Sequence, residues 1–140
     1  MPSTLIIGAS RGLGLEFVRQ CVAGGDVVWA TARQEPDLDR LRPMGARALL
    51  LDVTQDDAAL VLKAAIGAQR FDRAVLCAGV GDELDAPQSP TRERFDAVLR
   101  ANLLGPMQLL SALAEGLVPG GRLAVLSSRM GSIAERREST

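Results

Sequence analysis

The 140-residue sequence has no histidine, no tyrosine, a single lysine (Lys63) and only two cysteines, Cys21 and Cys77. Without histidine there is no imidazole for a nucleophilic triad or a His-containing metal centre, and the two cysteines lack the close spacing of a zinc site. Without tyrosine these residues offer no phenol as a general acid or base. An excess of one charge is also missing: 16 basic and 17 acidic residues give a net charge of −1. No phosphate-neutralising face is expected, so nucleic acid and anionic membrane surfaces are not expected partners. No stretch reaches the ~18 uninterrupted apolar residues of a membrane span; Leu103 to Val118 is broken by Gly105, Pro106, Ser111 and Glu115. Met1 to Gly8 has no basic segment before its short apolar run, so no secretory signal is expected and the cytoplasm is the expected location. There both thiols stay reduced, as small residues of the core or a site lining.

What is present is 47% apolar and 24% charged, the balance of one soluble globular domain. Five short apolar runs alternate with helical stretches: Thr4 to Ile7, Val27 to Thr31, Arg47 to Leu51, Ala74 to Ala78 and Leu123 to Leu126. Runs that are apolar without alternation fit strands covered on both faces, as in a parallel sheet. Leu13, Phe17, Val18, Cys21 and Val22 form one helical face, closed by Gly24-Gly25. Thr54 is expected to cap a helix with Asp56 and Asp57 in its first turn and Ala58, Val61, Leu62, Ala65 and Ile66 along its apolar stripe. Pro36 to Arg42 is a shorter helix candidate. Another begins near Ser89-Pro90-Thr91, carries Phe95, Val98, Leu99, Asn102 and Leu103 at helical spacing, and runs past Gly105-Pro106 to about Leu117. Strand and helix in strict alternation predict an α/β fold, a Rossmann-like doubly wound parallel sheet of five strands in order 3-2-1-4-5. Residues 1–134 form the expected domain and Glu135 to Thr140 a polar tail.

In such a sheet ligands sit beyond the carboxyl ends of the strands. After the first run comes Gly8-Ala9-Ser10-Arg11-Gly12-Leu13-Gly14, which leaves room for a pyrophosphate to approach backbone amides at the next helix's positive end. The alternative is a glycine-rich turn that merely joins strand to helix. After the second run, where an NAD site places a carboxylate on the ribose, stand Ala32 and Arg33. Arg33 and Arg11 could clamp a 2′-phosphate, which favours NADP over NAD, although 15 of the 16 basic residues are arginine. Asp52 and Val53 follow the third run, as adenine contacts or as punctuation before a helix. Ala78 and Gly79 follow the fourth and keep side chains clear of a nucleotide. Asn102 lies on its helix's apolar stripe, where an amide needs a partner. Ser127 and Ser128 close the fifth run.

Together these residues resemble the short-chain dehydrogenase/reductase family over essentially the whole chain. The Gly8 to Gly14 segment is similar to its Thr-Gly-x-x-x-Gly-x-Gly loop, with Ile7 in place of threonine. Leu51-Asp52-Val53 is similar to its adenine-contacting Asp-Val. Leu76-Cys77-Ala78-Gly79 stands where Asn-Asn-Ala-Gly is usual, so Cys77 must pack in place of an asparagine. Asn102-Leu103-Leu104-Gly105 resembles the segment with the family's structural and proton-relay asparagine. Leu126-Ser127-Ser128-Arg129-Met130-Gly131-Ser132 resembles the segment whose serine, here Ser128, hydrogen-bonds a substrate carbonyl.

The resemblance implies reversible hydride transfer between NADP(H) and a small carbonyl or alcohol substrate, with Asn102 and Ser128 at the catalytic end. It also implies a downstream Tyr-x-x-x-Lys, which this sequence lacks, so the chain is expected to be a truncated member of the family, inactive alone. An unprotected edge at the fifth strand would then favour self-association. Two other readings are a non-catalytic NADP-binding sensor or interaction module, and a chain complemented by a second polypeptide that supplies the tyrosine.

Overall fold

The computed structural model describes residues 1–79 and 89–127. The expectations for Ser128 and for the tail from Glu135 to Thr140 fall outside the described residues. Five strands, β1 (Ser3–Ile7), β2 (Val27–Ala32), β3 (Arg47–Leu50), β4 (Phe71–Leu76) and β5 (Leu117–Val125), form one sheet in the order β3-β2-β1-β4-β5. All four pairings are parallel, as expected. The helices are α1 (Gly12–Ala23), α2 (Glu35–Leu41), α3 (Ala58–Ile66), α4 (Arg92–Leu99) and α5 (Gly105–Glu115). A 3₁₀ turn, Arg42–Met44, follows α2, and a π-turn, Arg100–Leu104, joins α4 to α5.

The alternation of side chains along β1 divides the core. Leu5 and Ile7 face one layer with Trp29, Phe71, Leu76, Leu62 of α3 and Leu109 and Leu113 of α5. Ile6 faces the other, with Val18 of α1 and Leu38 and Leu41 of α2. Every residue of β1 is buried, which is why its sequence shows no polar alternation. The order of β1, β2 and β3 turns back at β1, where β4 joins from the other side. The β1 and β4 ends therefore flank a crevice between diverging connections. Trp29 meets Phe71 edge to face at 5.4 Å and carries the Arg47 guanidinium 4.2 Å above its ring.

Four local expectations are corrected. Thr54 does not cap α3: the Asp52 carboxylate accepts hydrogen bonds from the Thr54 amide (2.9 Å) and hydroxyl (2.7 Å), and this Asx turn delays the helix to Ala58. Strand β4 begins at Phe71, three residues before the apolar run, because the sheet pairing tolerates the exposed Asp72 and Arg73. Strand β5 begins at Leu117 and passes Pro119-Gly120-Gly121 through an irregular register opposite Phe71 and Arg73, where a proline is tolerated. On the long helix the buried face is Ala101, Gly105, Leu109, Ala112 and Leu113, while Phe95, Leu99 and Leu103 are exposed. The π-turn inserts an extra residue and so rotates α4 away from the face that a regular period extrapolates.

That helical run, Arg92 to Glu115, spans 24 residues with a mean hydropathy of 1.2 over its most apolar window. Length and composition alone would let it cross a membrane. Its α5 part instead packs against α3 and the sheet. Thr91 caps α4, its hydroxyl accepting from the Arg94 amide at 3.2 Å.

Candidate functional site

A cleft of about 580 Å³ opens at the carboxyl ends of β1, β2, β3 and β4. It gathers Gly8, Ser10, Arg11, Gly12, Leu13, Gly14, Arg33, Asp52, Val53, Gly79, Ala78 and Asn102, every candidate site residue among those described. Thr31, Ala32, Leu51, Thr54, Cys77, Ala101, Leu126 and Ser127 complete the lining.

Its floor is backbone packed against backbone. A Cβ at Gly8, whose φ is +85°, would lie 2.7 Å from both Cα and N of Ala78. A Cβ at Gly14 would lie 1.9 Å from the Gly8 carbonyl oxygen, so the first turn of α1 sits directly on the β1 loop. The buried Thr31 fixes that loop to β2: its hydroxyl accepts from the Gly8 amide at 3.1 Å and its carbonyl from the Ala9 amide at 2.8 Å. Thr31 escaped the sequence reading; the available signal was a lone hydroxyl inside an apolar strand, which must find a partner.

Helix α1 starts after Arg11 without a side-chain cap and with no acidic residue in its first turn. Its first hydrogen bond joins the Leu15 amide to the Arg11 carbonyl, so the amides ahead of Leu15 have no partner within the helix. An uncapped N-terminus with room beside it is suited to an anion. The exposed Arg33 stands at the end of β2, and neither it nor Arg11 forms an ion pair among the described residues.

Asp52 is half-buried, which pushes its carboxyl up, yet bonds from Thr54 and Gln55 and the charge of Arg33 prevail and hold it below the usual range. It is therefore a carboxylate at neutral pH, an acceptor suited to an amino group. Burial pushes the Cys77 thiol up to about 11, so at neutral pH it is a small uncharged wall of the cleft.

Asn102 departs from the expected apolar stripe. It lies in the π-turn, is exposed, and places its Oδ1 3.1 Å from where a Cβ of Gly79 would stand. Gly105, three residues after Asn102, explains that position: a Cβ there would come within 2.6 Å of the Val53 carbonyl oxygen and 2.8 Å of the Arg100 carbonyl oxygen. Lacking one, α5 seats against the β3 end and carries Asn102 over Gly79.

The model of the short chain dehydrogenase family matches residues 3–139. An uncharacterized oxidoreductase of Myxococcus xanthus (strain DK1622) is 33% identical over 139 residues, covering 92% of this chain and 54% of that protein. The uncharacterized oxidoreductase YbbO of Escherichia coli (strain K12) is 30% identical over 138 residues, covering 94% of this chain and 51% of that protein. The chain thus spans about half the length of these curated relatives. Among solved structures, a carbonyl reductase from Pseudomonas aeruginosa PAO1 in complex with NADP superposes with a TM-score of 0.84 at 32% identity, over 96% of this chain and 64% of that one. With the sheet order, the glycine loop and the match over nearly its whole length in agreement, the chain belongs to the short chain dehydrogenase family of oxidoreductases.

Proposed function

We propose that these residues form the NADP-binding part of an oxidoreductase acting on a small carbonyl or alcohol substrate. The observation that carries this reading is the glycine loop packed between β1 and the uncapped α1, with Arg11 and Arg33 beside the same cleft. In this reading the pyrophosphate takes the α1 amides, Arg11 and Arg33 take the 2′-phosphate, and Asp52 and Val53 meet the adenine. Ala78 and Gly79 let the nucleotide cross the sheet. The carbonyl reductase of Pseudomonas aeruginosa, which binds NADP, supports that cofactor over NAD.

When bound, the nicotinamide supplies or accepts the hydride. Asn102 holds the proton path at the cleft's inner end through its amide oxygen and nitrogen, and Ser128 donates to the substrate oxygen. No tyrosine is present in the 140 residues to move the proton, so the chain by itself binds nucleotide without turnover. It works in the cytoplasm without a nucleic-acid or membrane partner, and the exposed Phe95, Leu99, Leu103 and Met107 together with the β5 edge lead it to self-associate.

Calorimetric titration with NADPH and NADH, with ketone reduction followed in the same samples, tests this. Micromolar NADPH binding, weaker NADH binding and no turnover are expected. A folded sample that binds neither nucleotide refutes the site, and turnover refutes the account of its missing acid. Light scattering that shows a heat-stable monomer refutes the self-association.

A further inference from the structure

Arg40 lies outside the cleft lining, on the exposed face of α2, and reaches across 30 residues of sequence to the glycine loop. Its Nη2 donates to the Ser10 carbonyl at 3.0 Å and pairs with the Asp37 carboxylate one turn earlier on the same helix. Helix α2 is a firm base for this reach, since Leu38 and Leu41 are buried against the second core layer. We infer that Arg40 is a positioning residue of the nucleotide site, fixing the Ser10–Arg11 peptide from behind through the Asp37–Arg40 pair; this rests on the nucleotide-binding reading above.

In a trans peptide the carbonyl and the following N–H point in opposite directions. Holding the Ser10 carbonyl on Arg40 therefore turns the Arg11 amide away from α2 and fixes the peptide that leads into α1. The loop needs such a tie, because Gly8 and Gly12 both have positive φ and glycine gives the chain between them wide conformational freedom. Thr31 secures the loop's beginning at Gly8 and Ala9, and Arg40 secures the Ser10–Arg11 peptide further along. The Asp37 carboxylate offsets the Arg40 charge and orients its planar fork, so Arg40 acts as a strut and not as a phosphate ligand. Ordering the loop in advance strengthens binding of any nucleotide whose pyrophosphate uses it, with or without a 2′-phosphate.

Arg40→Met, Arg40→Lys and Asp37→Asn are titrated with NADPH and with NADH. Amide hydrogen exchange across residues 8–14 is measured on each nucleotide-free chain. For Arg40→Met both affinities are expected to fall by the same factor, about fivefold to tenfold, and the Ser10 to Gly12 amides to exchange faster. Arg40→Lys recovers part of the loss, because an ammonium reaches the carbonyl without the planar guanidinium whose Nη2 holds both Ser10 and Asp37. Asp37→Asn shows a smaller loss at an unchanged NADPH/NADH ratio. A selective loss of NADPH by more than about threefold makes Arg40 a 2′-phosphate ligand and overturns the inference. Unchanged affinities with unchanged exchange overturn it too. A wild-type chain that binds neither nucleotide overturns the nucleotide reading itself, whereas wild-type binding that Arg40→Met leaves intact overturns only the role of Arg40.

Discussion

Gly14→Ala is expected to injure stability and nucleotide binding together. The new Cβ would stand 1.9 Å from the Gly8 carbonyl oxygen, while ordinary contact begins at 3.4 Å, so α1 must withdraw by roughly 1.5 Å. Neither neighbour can yield cheaply, since Gly8 is pressed against the Ala78 backbone and bonded to Thr31. Overpacking of this kind costs about 1 to 3 kcal/mol. With both neighbours fixed the cost falls at the upper end of that range, and alanine's higher helix propensity returns at most about 1 kcal/mol, leaving a net loss of about 2 kcal/mol. In a domain of this size that lowers Tm by about 4 to 8 °C. The same withdrawal removes the α1 amides from the pyrophosphate, so NADPH affinity should drop at least about tenfold. Gly12→Ala is the control for stability: nothing beyond its own chain neighbours and helix turn lies within 4 Å of its Cβ, and only the positive φ of +57° penalises the fold, by about 1 kcal/mol. Urea unfolding and calorimetric titration of both variants decide the matter. A Gly14→Ala chain as stable and as tight-binding as wild type, or one that loses less stability than Gly12→Ala, refutes the close packing of Gly14 on Gly8.

Arg33→Ala should weaken NADPH about tenfold or more while leaving NADH within about twofold, a ratio read by titration. An equal effect on both would remove Arg33 from the 2′-phosphate. Leu62→Ala empties a fully buried position between α3 and the sheet, and urea denaturation should show a loss of about 2 to 5 kcal/mol. Thr54→Val removes the hydroxyl that donates to Asp52 and should raise that carboxyl's pKa toward its ordinary value. Because the folded-state pKa is depressed, its contribution to stability is complete above the ordinary aspartate range and is lost as pH falls through the depressed value. The wild-type and Thr54→Val stability curves should therefore differ at neutral pH and converge in acid; carboxyl NMR that places Asp52 identically in both would falsify the assignment.

The sheet and its crossovers were legible because every strand is short, apolar and followed by turn residues, and parallel order leaves few topologies. The glycine loop, Arg11, Arg33, Asp52 and Gly79 were legible because they follow strand ends directly. Thr54 misled because Asp52 engages its hydroxyl and its own amide in a turn, which takes the hydroxyl away from the amides ahead that a cap would bond, an outcome that residue spacing does not decide. The exposure of Asn102 could not be read from a 3.6-residue period, since the π-turn breaks that period at the residue in question. Arg40 was hidden for a different reason: its partner is a backbone carbonyl on another element, and a carbonyl leaves no trace in residue type.

The π-turn also makes the site sensitive to chain length and not only to side-chain identity. Each residue of a regular helix advances about 100° around its axis. The turn already absorbs one extra residue, so adding another between Asn102 and Leu104 would swing α4 around α5 by that angle, with Phe95 and Leu99 carried along. Asn102 would leave Gly79 even though every residue lining the cleft kept its chemistry. Within this one turn, the number of residues is itself part of the site.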